Sequence, residues 1–179
     1  MLNLFISIIY ACIYILAAWK WGDWRNWKEY YPTILFYILG DLLYQFLFFN
    51  YSMWEFHPVL MDHDVPGQHT FTDILLVCTR YPATILIFLY HFPKKRTISI
   101  LVYLLFWVGL YAFNEWISFS FGLIDHHHGW NFGWSILFNF VMFSILRVHH
   151  HRPLFALILS IIFAVLLWNA LEVPLDILK

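Results

Sequence analysis

The sequence predicts an all-α protein, a six-helix transmembrane bundle with short loops and both termini outside. Hydrophobic residues make up 62% of the 179-residue chain and charged ones 12%, with a mean hydropathy of +0.68. A soluble domain of this size cannot hide that much apolar surface. Six stretches reach the roughly 20 apolar residues that a helix needs to cross about 30 Å of hydrocarbon. The Lys and Arg residues between those stretches fall in alternate connections only, as they do in a chain that threads a bilayer repeatedly.

The first stretch, 2–19, is apolar from its start and has neither a positive leader nor a small-x-small cleavage site before Trp19. It is expected to be a retained span and not a signal peptide. The connection that follows carries Lys20, Arg25 and Lys28, with Trp21, Trp24 and Trp27 recurring every third residue. One aromatic and one charged side predict a short interfacial helix in this first loop. The second span is 31–51. The third, 71–91, is the weakest because it contains Arg80 and Pro82. Starting it at Pro82 would leave too few residues to cross, so it is kept whole with a kink. The last three spans are 97–121, 130–148 and 153–173.

Loop three holds Lys94, Lys95 and Arg96, and loop five is bounded by Arg147 and Arg152; loops two and four contain no Lys or Arg. That alternation puts loops one, three and five in the cytoplasm. Trp54, Trp130 and Trp134 lie near the outer span ends, as interfacial anchors do. The longest segment between spans, about residues 50–70, is too short to form a soluble module. The whole chain, 1–179, is therefore expected to be a single integral membrane domain. Net charge is −1, so no basic field points to nucleic acid. Cys12 and Cys78 both lie within predicted spans and offer neither a disulfide framework nor a paired-cysteine metal site.

Ionisable residues inside such spans are costly, about 2.5–3.5 kcal/mol each at the bilayer centre, and mark functional candidates. Three stand out: Asp41, Arg80 and Glu115. Helical spacing gathers further polar residues around them. Tyr37, Asp41 and Tyr44 share a face of span two, and Asp73, Arg80 and Thr84 share one of span three. Span four aligns Tyr111, Asn114, Glu115 and Ser118, and span five aligns Asn131, Ser135 and Asn139. Asp41, Arg80 and Glu115 are expected to converge in the outer half of the bundle. Two carboxylates against one guanidinium leave a negative charge that low dielectric does not tolerate. Either one carboxyl is protonated or a cation or donor-rich ligand completes the set. Pro82 frees the carbonyl of Cys78 beside Arg80, and a broken helix next to buried charge is one way transporters build a site. The simpler alternative is an interhelical ion pair that fixes packing.

Of ten histidines, six form the runs His126-His127-His128 and His149-His150-His151. The first run is expected outside, beside Asp125 and with the outer-loop His57, His63 and His69. His57, Asp125, His126 and His128 would make a zinc or copper set, although three adjacent histidines cannot all face one ion. The second run lies between Arg147 and Arg152, where positive neighbours disfavour a metal and favour lipid phosphate or solvent. No other cofactor is expected. The histidine boxes of membrane di-iron hydroxylases and desaturases do not occur. Ser135 lacks a Gly-x-Ser-x-Gly frame, and no His-Glu-x-x-His is present.

Three segments carry a resemblance: Trp24-Arg25-Asn26-Trp27-Lys28-Glu29-Tyr30-Tyr31-Pro32-Thr33, Trp54-Glu55-Phe56-His57-Pro58, and Asp125-His126-His127-His128-Gly129-Trp130-Asn131 followed by Trp134-Ser135. Together the chain resembles a family of small, uncharacterised, multi-pass membrane proteins of bacilli and clostridia. The resemblance implies a bacterial cytoplasmic membrane and brings no activity or catalytic residue with it.

Three functions compete. The leading one is a structural or accessory membrane subunit, not an enzyme, whose buried charges pair with one another, with a partner's helix or with a second copy. The next is a protein that binds or transports a small ligand, ion or proton at the Asp41, Arg80 and Glu115 cluster. The third is a metalloenzyme built on the outer histidines.

Overall fold

The computed structural model describes the backbone of residues 2–56, 68–174 and 177, and their side chains apart from 2–8, 10, 56 and 68–76. Among these residues the order of elements is α1 (Leu2–Trp21), α2 (Trp27–Leu47), β1 (Trp54–Phe56), α3 (Gln68–Tyr90), α4 (Thr97–Ser120), β2 (Ile124–His126), α5 (Phe132–His151) and α6 (Pro153–Ala170). Each helix falls on one predicted span, with its ends within about one turn of those expected. The described residues are helical apart from connecting turns and the short pairing of β1 with β2. Helices α4, α5 and α6 are each long and apolar enough to cross a membrane. The chain divides into two compact units, Met1–Ile38 with Phe56–Phe92 and Leu39–Glu55 with Pro93–Lys179.

In the first unit α1 and α3 pack along one another. The Arg80 guanidinium lies 5.6 Å from the centre of the Tyr14 ring, and His91 Nε2 lies 3.1 Å from the Trp21 carbonyl oxygen. Early meets early and late meets late, so these helices run parallel. Ala18, Ala83 and Thr84 are buried, and such small side chains let helix backbones approach closely. Phe88, Leu86 and Ile85 fill the remaining core, and Tyr37 stacks on Tyr81 with ring centres 4.0 Å apart. α3 runs unbroken through Pro82.

The interfacial helix expected in the first loop is not formed. α1 already extends through Trp21 and α2 begins at Trp27, which leaves only a turn between them. Competing hydrogen bonds explain it. The Gly22 N–H and the Trp24 indole N–H both donate to the Ala18 carbonyl, at 2.7 and 2.6 Å, and close the end of α1. Asp23 then accepts from the Asn26 amide at 2.9 Å and the Tyr30 hydroxyl at 3.0 Å. The Asn26 bond, with Tyr30 in support, holds the Asp23 carboxyl below its ordinary range. Trp21, Trp24 and Trp27 stay half exposed, as anchors do.

In the second unit α4 packs on α5 and α5 on α6. Trp107 and Tyr111 of α4 both meet Phe143 of α5, at 5.6 and 5.0 Å between ring centres. Nearer the other ends of the same helices, Ser135 meets Glu115, so α4 and α5 are antiparallel. α6 fully buries Ala156 alone, while Leu154 is 77% exposed and Ile161 64%. A helix this apolar with its sides uncovered belongs in lipid or against another apolar surface. The two ends of this unit differ in character. One carries Lys94, Lys95, Arg96, Arg147 and Arg152; the other carries the β1–β2 pair.

Candidate functional site

The β1–β2 end gathers a part-buried polar cluster. The chain leaves α4 at Phe121, forms β2, and turns back at His128 and Gly129, whose φ values are 53° and 80°. The Trp130 N–H donates to the His127 carbonyl at 3.0 Å and closes that turn. Two successive positive φ angles are what a tight reversal of this kind requires, and glycine supplies the second without strain. Asn131 then caps α5, its side-chain oxygen accepting from Gly133 N at 2.9 Å and Trp134 N at 3.3 Å. The cap sets where α5 begins and so places Ser135 in its first turn.

Glu115 is the centre of the site. Its Oε1 accepts from Ser135 Oγ at 2.5 Å and pairs with His126 Nε2 at 2.8 Å. Ser135 Oγ in turn accepts from the Trp130 indole N–H at 2.8 Å. The His126 and Glu115 side chains are only 12% and 15% exposed. One carboxylate therefore ties α4, β2 and α5 together. Charge-assisted bonds of this kind are shorter and about twice as strong as neutral ones.

Aromatic rings seal the cluster. The Tyr44 hydroxyl accepts the Met53 N–H at 2.8 Å, and its ring stacks on Trp54 with centres 4.2 Å apart. Trp54 leans on Trp130 at 4.8 Å. Met53, Trp130 and Val173 are buried together, with Phe138, Leu167 and Trp168 packed around them. The Met53 carbonyl accepts from His127 N at 2.8 Å, which carries the pairing beyond the strands themselves.

Several of the predicted site residues meet at this end. Glu115 and Ser135, taken from helical stripes, meet His126, taken from the metal set. Tyr44 joins them through the Met53 segment. Tyr111 packs edge-on against Phe143, and Asn139 is buried at 7% exposure. Asn114 donates to Leu110 O at 2.7 Å and Ser118 to Asn114 O at 3.0 Å, so both turn back onto their own helix. Asp41 accepts from Gln45 at 2.8 Å. Arg80 belongs to the first unit, against Tyr14. His57, and the side chain of Asp73, lie outside the described residues.

His126 is held by Glu115, whereas His128 stacks on Tyr51 with ring centres 3.6 Å apart. His127 lies 3.7 Å from Glu55. Among the described residues no three of His, Cys, Asp and Glu are placed to share a metal ion. The Ser135, His126 and Glu115 arrangement also differs from a nucleophilic triad. In a triad the imidazole bridges serine and carboxylate and takes the hydroxyl proton. Here serine and histidine address the same carboxylate oxygen, and the serine proton is committed to Glu115.

Helical periodicity did not reveal Trp130, Met53 or Tyr51 as parts of this site. The alternation in Trp54-Glu55-Phe56 and Ile124-Asp125-His126 fits the strands but is only three residues long in each. No protein-family model, curated protein or solved structure matches this chain, so the site rests on its own geometry.

Proposed function

We propose that the chain is a multi-pass protein of a bacterial cytoplasmic membrane, crossing six times with both termini outside, and that it serves as a structural or accessory subunit. The parallel run of α1 and α3 and the antiparallel run of α4 and α5 are what a chain reversing at every helix requires. Among the described residues of the second unit, Lys94, Lys95, Arg96, Arg147 and Arg152 lie at the end away from β1–β2, which supports that orientation. The resemblance to small membrane proteins of bacilli and clostridia supports a bacterial setting. The lipid bilayer, and another membrane protein or a second copy, are the partners this reading implies.

The observation that carries the subunit role is the state of Glu115. Its partners are His126 and Ser135, both from this chain, and they use it to fasten the loop between α4 and α5. A carboxylate employed in this way fixes packing, and its removal leaves buried donors stranded at about 1–3 kcal/mol each. Glu115→Ala should therefore lower the thermal midpoint of the detergent-purified protein by several degrees, while Glu115→Gln, which keeps an acceptor for Ser135, loses less. An unchanged midpoint for Glu115→Ala would reject the role.

A further inference from the structure

The end of the second unit opposite β1–β2 pairs a groove with a cationic rim. The groove is shallow and open, and is lined by Pro93, Ile98, Ser99, Val102, Tyr103 and Phe106. Ile98, Val102 and Phe106 stand at i, i+4 and i+8 on α4 and are 65%, 59% and 61% exposed. They form an apolar ridge about 12 Å long, at 1.5 Å per residue. Directly before it come Lys94, Lys95 and Arg96, all exposed. Because α4 and α5 are antiparallel, Arg147 and Arg152 lie at this same end. Within this unit the stretches 93–114 and 126–171 contain no Asp or Glu.

We propose that this groove binds an anionic phospholipid, its phosphate held at Lys94 and Lys95 and one acyl chain laid along Ile98, Val102 and Phe106. Charge complementarity selects that occupant. A zwitterionic lipid gains little from the exposed Lys94, Lys95 and Arg96, and a second copy docked face to face would set the same Lys-Lys-Arg run against itself. Each Lys or Arg near an anionic headgroup contributes about 1 kcal/mol. The proposal rests on the membrane reading above and adds to it a defined lipid site.

Native mass spectrometry of the full chain in detergent, titrated with phosphatidylglycerol or phosphatidylcholine of identical acyl chains, tests it. Wild type should retain phosphatidylglycerol preferentially by about tenfold or more. Lys94→Gln with Lys95→Gln should abolish the preference, and so should Val102→Trp, which fills an exposed groove without touching charge. Lys28→Gln, in the first unit, should leave it intact. Equal retention of both lipids, or survival of the preference in Val102→Trp, would overturn the site. So would displacement of the lipid by inorganic phosphate, or a dimer in place of a lipid adduct. Fractionation of each variant with membranes is scored separately. Loss of wild-type protein from that fraction would reject the membrane reading itself, whereas normal fractionation without lipid preference rejects only the site.

Discussion

A methyl group added at Gly22 would stand 2.5 Å from the Ala18 carbonyl oxygen and 3.3 Å from Leu86 Cβ. The first contact is with backbone and cannot be relieved by a rotamer change. Gly22→Ala is therefore expected to destabilise the protein by about 1–3 kcal/mol, the usual cost of overpacking. A thermal midpoint equal to that of wild type would show that the α1 terminus yields more easily than this geometry implies. Single residues were legible where helical spacing applied. Glu115 and Ser135 each emerged as members of a polar stripe. Their meeting with His126 did not, because the eleven-residue step from Glu115 to His126 includes a change of element that no period describes. Trp130 was legible as an interfacial aromatic, yet its indole N–H serves Ser135.

At the level of elements, the helices followed from apolar length alone, since long uninterrupted runs leave few alternatives to helix in lipid. The connections did not. Trp21, Trp24 and Trp27 have helical spacing, but Gly22 and the Asp23–Asn26 bond divert the chain into a turn before a helix can nucleate. The β1–β2 pair escaped notice because three-residue strands are too short for alternation to stand out from noise. The start of α5 is the most consequential boundary, because Asn131 positions the whole Ser135 turn. Asn131→Ala should cost about 1 kcal/mol through loss of the cap. Asn131→Asp, which keeps the acceptor, should cost less. Equal losses for the two, read by thermal unfolding in detergent, would remove the cap from the account of the site.

For the molecule as a whole, the sorting of Lys and Arg predicts which loops face which side. In a background with Cys12 and Cys78 replaced by serine, Glu55→Cys should react with an impermeant maleimide in intact cells. Lys95→Cys should react only after lysis. Labelling of Lys95→Cys in intact cells would invert or abolish the proposed topology. Arg80 sits in one compact unit with Tyr14, and Asp41 and Glu115 sit in the other, Asp41 with Gln45 and Glu115 with His126 and Ser135.

The wide exposure of α6 has a consequence for how the chain is made. No ionisable side chain lies between Pro153 and Ala170, and Ala156 alone is fully covered. In the proposed topology such a segment partitions from the translocon into lipid by its own hydrophobicity and requires no earlier helix to wait for it. α3, with Asp73 and Arg80 along its length, has the opposite need. It must be sheltered during synthesis, and the parallel helix already in place beside it is α1.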